Sequence, residues 1–119
     1  MRKPIVAGNW KMNGDLDTID GLVKDILLGL ASKPAKECEI VLFPAYVHLI
    51  NVVRMVEGTG IAVGSQDLDV RSNGAVTGGV SAQMVNDTGC KLFLCGHSER
   101  RTLFGETNET IAEKFEAGL

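Results

Sequence analysis

The sequence predicts an α/β fold in which short buried strands form one parallel sheet and helices cross between them. Three observations carry this. Four apolar runs of about four residues recur along the chain and are short enough to be strands apolar on both faces. Segments with helical spacing of apolar residues alternate with them. Each boundary falls on Gly, Pro, Asn or Asp, the residues that terminate regular structure.

The elements follow in order. Pro4-Ile5-Val6-Ala7 reads as a first strand. Asn13-Gly14-Asp15 supplies a turn and a helix cap, and Leu16, Ile19, Leu22, Val23, Ile26 and Leu30 mark a helix that Ser32-Lys33-Pro34 ends. Ile40-Val41-Leu42-Phe43 is a second strand closed by Pro44. Val47, Ile50, Val53 and Val56 mark a second helix, stopped by Gly58-Thr59-Gly60. Ile61-Ala62-Val63-Gly64 is a third strand, followed by a long polar stretch from Gln66 to Gly79. Ser81 can cap a short helix through Val85, and Leu92-Phe93-Leu94-Cys95 is a fourth strand. One helical turn is expected between Gly96 and Gly105, then a helix capped by Thr107 or Asn108 that carries Ile111, Ala112 and Phe115. Four strand–helix units therefore fill 119 residues, read as a single domain over 1–119.

Composition excludes several classes. Hydrophobic residues make up 45% of the chain, too many for a disordered one. A net charge of −3 removes the long-range attraction to phosphate backbones, so no nucleic-acid partner is expected. No apolar run approaches the roughly 20 residues a membrane helix needs, and no signal peptide is expected from the first residues. Cys38, Cys90 and Cys95 form no CxxC pair, so free thiols and a reducing cytoplasmic setting are expected. Two His and three Cys lack metal-ligand spacing, so no metal is expected. No GxxxxGK[ST] loop is present, and Gly58-Thr59-Gly60 precedes a strand, where a dinucleotide fingerprint would follow one. His48 falls inside a helix pattern and reads as an ordinary surface or boundary residue.

Ligands of parallel α/β folds bind at the carboxyl ends of the strands. The first strand exits through Asn9-Trp10-Lys11, where alternation puts the Asn9 amide and the Lys11 ammonium on one face. That pair suits a phosphorylated or carbonyl-bearing substrate, and a solvent-facing Lys beside a turn Asn is the plainer alternative. The fourth strand exits through Gly96-His97-Ser98-Glu99-Arg100-Arg101. Alternation groups Phe93, Cys95 and His97 on one face. A helix start just after His97 disfavours the imidazolium, and a neutral imidazole can donate a proton to a developing oxyanion. A structural His satisfied by backbone is the plainer reading. The loop from Gln66 to Gly79 is long enough to suggest function, and Asn73-Gly74 and Gly78-Gly79 call for positive φ, as a shaped loop contacting a partner chain would.

GNWKMN at 8–13, GAVTGGVSA at 74–82 and GHSERR at 96–101 together resemble the triosephosphate isomerase family in order, spacing and placement at three strand exits. The resemblance covers the whole chain. It implies the first half of a TIM (β/α)₈ barrel, usually homodimeric and cytoplasmic. It implies an isomerase interconverting dihydroxyacetone phosphate and glyceraldehyde 3-phosphate in glycolysis and gluconeogenesis, with no cofactor. By the same resemblance Asn9 and Lys11 bind substrate, and Lys11 supplies positive charge for the phosphate and the enediolate. His97 polarises the carbonyl and shuttles a proton between the two oxygens. Glu99 stands close behind Lys11 and His97, and Thr77 reaches the neighbouring subunit's site. Gln66 and Ser98 match family positions to which the sequence alone assigns no role.

Three departures qualify the resemblance. The family usually has Glu where this chain has Gly79 and an aromatic residue where it has Val76, which removes a partner for an arginine such as Arg100. A barrel of this type takes about 250 residues, and no motif here matches the catalytic glutamate, the mobile lid or the glycine-rich phosphate turns. Glu99 and Glu106 match other family positions, so neither is promoted to base. The expectation is an incomplete barrel with little isomerase activity alone, self-associating through an uncovered inner face that includes Phe93 and Cys95. A non-catalytic half-barrel scaffold pairing with a separate C-terminal half is the alternative. A small flavodoxin- or receiver-type domain is disfavoured because the first strand's exit lacks an acidic cluster.

Overall fold

A computed structural model describes residues 2–119; Met1, the first residue of the expected domain, lies outside them. Four strands, β1 (Ile5–Asn9), β2 (Glu39–Phe43), β3 (Ala62–Ser65) and β4 (Leu92–Phe93), form one parallel sheet in the order β1-β2-β3-β4. The helices are α1 (Leu16–Ser32), α2 (Leu49–Met55), α3 (Ala82–Asp87), α4 (Ser98–Phe104) and α5 (Asn108–Gly118). Sequential strands pair as neighbours because each returns through a helical crossover.

Caps fix the helix starts. Asp15 accepts a hydrogen bond from the Thr18 amide at 2.8 Å while the Thr18 hydroxyl accepts from the Asp15 amide at 2.9 Å, a reciprocal capping box. Ser81 caps α3 and Thr107 caps α5. The core lies between the sheet and the first three helices, where Ile19, Val23, Leu42, Leu49, Val52, Val63 and Val85 pack together.

Four expectations are corrected. The second helix buries a different set of residues: His48, Leu49, Val52 and Val56 are inside, while Val47 and Ile50 are exposed. Strict three-residue spacing drifts by about 60° per step around a helix of 3.6 residues per turn, so Val47, Ile50, Val53 and Val56 cannot share one face. A 3₁₀ turn at Tyr46–His48 also resets the phase before α2 begins. His48 is consequently buried, and its Nε2 donates to the Gly14 carbonyl at 3.2 Å. β4 is only two residues long, although the Leu94 amide still donates to the Ser65 carbonyl at 2.8 Å. Finally, Phe93 and Cys95 do not line an inner face. The Phe93 ring occupies the space where Gly118 of α5 would carry a Cβ, and the Cys95 thiol donates to the Ile111 carbonyl of α5 at 3.4 Å.

Candidate active site

The carboxyl ends of β1, β3 and β4 surround a cleft of about 300 Å³ lined by Asn9, Lys11, Gln66, Leu94, His97 and Glu99, with Leu103 and Phe104 at its rim. Asn9 and Lys11 both face it, while Trp10 between them packs on the core. His97 arrives by a different route from the one alternation suggests. Gly96 takes φ 76°, a left-handed conformation that Gly adopts without steric cost, and this turn swings His97 into the cleft and away from the α5 side where Phe93 and Cys95 lie.

The Lys11 segment is held in a costly conformation. Lys11 has φ 56° and is the one non-glycine residue with positive φ among the described residues, a state that costs on the order of 1–3 kcal/mol and clusters at functional sites. Three contacts hold it. Its amide donates to Asn9 Oδ1 at 3.0 Å, its carbonyl accepts from Gln66 Nε2 at 2.9 Å, and its Nζ donates to Glu99 Oε1 at 2.6 Å. Gln66 Nε2 also donates to the Phe43 carbonyl at 2.9 Å, joining the exits of β1, β2 and β3. This clamp is the contact at the cleft that sequence reasoning does not reach. Its signal, a Gln directly after a buried strand, carries no partner information until the fold is known.

His97 is the N-cap of α4, and its Nδ1 accepts from the Glu99 amide at 3.0 Å. Only an unprotonated Nδ1 can accept, so the ring in this arrangement carries its proton on Nε2. The Glu99 carboxylate lies 3.7 Å from Nδ1, too far for a hydrogen bond, and it serves Lys11 instead. The hydrogen bond from Lys11 holds the Glu99 carboxyl below its ordinary range, with the ammonium charge adding to it. The cleft therefore gathers the Lys11 ammonium with its paired Glu99 carboxylate, the Asn9 amide and the His97 ring. Ser98 is exposed at the start of α4.

Thr77 stands apart from this cleft, exposed on the loop after β3. That loop is shaped by Asp69, whose carboxylate binds the Arg71 side chain at 2.7 Å and whose amide donates to the Val80 carbonyl at 2.7 Å. The bond from Arg71 lowers the Asp69 carboxyl to about 2. Gly74 and Gly78 take positive φ as expected, but Gly79 does not; a Cβ there would stand 3.0 Å from Val76 Cγ1 and 3.3 Å from Asp69 Oδ2. Arg100 is not left without a partner by the absence of a carboxylate at 79, because it pairs with Asp67 at 3.2 Å and with Glu106 in its own chain. Among the described residues no group of three or more His, Cys, Asp and Glu side chains is placed to hold a metal ion. No helix among them is long and apolar enough to cross a membrane.

Parallel strands linked by helices, with a polar cleft at their carboxyl ends, define the α/β class of protein, to which barrels and open sheets both belong. A sequence profile for one barrel family of that class, triosephosphate isomerase, matches residues 4–119. The chain belongs to the triosephosphate isomerase family. It is 44% identical over 115 residues to the triosephosphate isomerase of Magnetococcus marinus, covering 96% of this chain and 44% of that protein. With the Dechloromonas aromatica triosephosphate isomerase it shares 44% over 117 residues, 98% of this chain and 46% of the relative. The crystal structure of triosephosphate isomerase from Bartonella henselae overlays with a TM-score of 0.88 at 30% identity, covering 98% of this chain and 47% of that one. The chain thus spans a little under half the length of the relatives it matches.

Proposed function

We propose that this chain supplies the substrate-holding and electrophilic side of a triosephosphate isomerase site. Lys11 and Asn9 bind the phosphorylated triose. His97, through its Nε2 proton, polarises the carbonyl and returns a proton to the enediolate oxygens. Glu99 orients Lys11, and Thr77 meets the neighbouring subunit in a homodimer of the complete, cytoplasmic enzyme. The single observation that carries the reading is the bond from the Glu99 amide to His97 Nδ1, which leaves the donor nitrogen as the ring's free polar atom in the same cleft as Lys11. Preorganised donors of this kind supply much of the stabilisation of a developing oxyanion.

The proton on the carbon beside the carbonyl needs a positioned base, a contribution of typically 10²–10⁴-fold. Neither nearby carboxylate is free for that work: Glu99 is tied to Lys11, and Glu106 is buried against Lys114 and Arg100. We therefore expect the 119-residue chain alone, an incomplete barrel domain, to show little or no turnover. The test is to mix it with a polypeptide carrying the remaining strands of a relative and assay isomerisation of dihydroxyacetone phosphate. Activity should appear on mixing and be lost with Lys11→Met or His97→Phe. Full activity of this chain alone, or activity on mixing that survives both substitutions, contradicts the assignment.

A further inference from the structure

An ion quartet borders the cleft through Arg100, whose amide donates to the His97 carbonyl at 3.0 Å, while the quartet's side chains bond to one another and not to the Asn9, Lys11 or His97 side chains. Lys114 of α5 is buried, and its Nζ donates to Asp67 Oδ1 at 2.7 Å and to Glu106 Oε2 at 2.7 Å. Arg100 closes the set, reaching Asp67 Oδ2 at 3.2 Å and donating from Nε to Glu106 Oε2. Two carboxylates face two cations, so the quartet is neutral.

Its connections place it one residue behind both clamps on Lys11. Asp67 directly follows Gln66, which holds the Lys11 carbonyl. Arg100 directly follows Glu99, which holds the Lys11 ammonium and whose amide holds His97. Between them, the quartet ties the exit of β3 to α4. No residue of α4 is buried, so apolar packing does little to set where this helix sits. A buried ionic cluster is a poor source of net stability compared with apolar residues of equal volume. Glu106 Oε1 is buried without a hydrogen-bond partner, a further cost. Burial pushes the Glu106 carboxyl up, but the bonds from Lys114 and Arg100 outweigh it and keep the carboxyl below its ordinary range. What the quartet gains for these costs is directional geometry.

We propose that Lys114 is a positioning residue for the cleft: through Asp67 and Glu106 it fixes the β3 exit that clamps Lys11 against the helix that presents His97. The inference rests on the reading that Lys11 and His97 form the functional pair, and it deepens that reading by assigning their register to a residue on α5.

The test uses the full chain without ligand, so it is separate from triose phosphate binding. Two signals report the cleft directly: the His97 ring ¹H–¹⁵N correlations and the exchange rate of the Glu99 amide. In Lys114→Met the His97 signals should move and the Glu99 amide should exchange at least about tenfold faster, while amides of α1 keep their rates. Lys114→Arg, which retains the charge, should return both signals most of the way to the parent. If Lys114→Met fails to fold, Asp67→Asn keeps the side-chain shape and carries the same readout. Unchanged His97 and Glu99 signals in the folded variant, or no rescue by Arg, overturn the proposal. Dihydroxyacetone phosphate titrated into the parent chain reports separately on the functional reading; failure to bind there, with the Lys114 effects intact, would fault that reading and leave the positioning role standing.

Discussion

The portion of the chain up to Cys90 and the portion after it are held together by different physics. Among the described residues, every buried apolar side chain lies at or before Cys90. Beyond it, α4 buries nothing and α5 buries only Lys114. The first region rests on non-directional burial, worth roughly 25 cal/mol per Å² of apolar surface. The second rests on charge-assisted hydrogen bonds with fixed geometry. The lesson is a division of labour. Apolar packing decides whether β1 to β3 form, and the ionic contacts decide where His97 stands relative to Lys11.

The comparison can be broken most severely in the first region. Leu49 is 2% exposed in the core, and Leu49→Ala should lower unfolding free energy by about 2–5 kcal/mol, read by urea titration of Trp10 fluorescence. A loss under about 1 kcal/mol would show that the cluster is not the main support. Next in size, native-state hydrogen exchange should find α4 and α5 amides opening at least about tenfold more often than those of α1. Equal protection would erase the contrast. Ser81→Ala removes the cap on α3, where the hydroxyl accepts from the Met84 amide at 3.2 Å, and should cost about 1 kcal/mol in the same urea titration.

Two smaller effects sharpen the electrostatic side. Glu99 is lowered in the folded chain, so its contribution is present above the ordinary carboxylate value of 4.5 and is lost as pH falls through the lowered folded value. A ¹³C titration of its carboxyl should give a midpoint below 4.5, and a midpoint at or above it contradicts the Lys11 pairing. Gly79→Glu places a carboxylate beside Asp69, so the Asp69 titration should rise from about 2, because like charges disfavour ionisation.

The same contrast explains what was legible in the sequence. The strands, the capping residues Asp15 and Ser81 and the strand exits carrying Asn9, Lys11 and His97 are written locally, in apolar runs and punctuating residues. The reach of Gln66 to the Lys11 carbonyl and of Lys114 to Asp67 spans 55 and 47 positions, and no local pattern encodes such partners. Alternation misgroups His97 with Phe93 and Cys95 because it assumes an unbroken strand, whereas β4 stops at Phe93 and Gly96 takes a left-handed conformation before His97. The face of α2 was misread because a 3₁₀ turn at Tyr46–His48 leaves no distinct signature in apolar spacing.

The central claim is that Asn9, Lys11 and His97 form one receptor for a triose phosphate. Its most direct test is an NMR titration of the isotope-labelled chain with dihydroxyacetone phosphate. Saturable shifts should appear together at the Asn9 side-chain amide, the Lys11 ammonium and the His97 ring, with α1 and the far ends of the strands unmoved. Shifts that scatter over the surface, or that leave those three residues unchanged, would contradict the account.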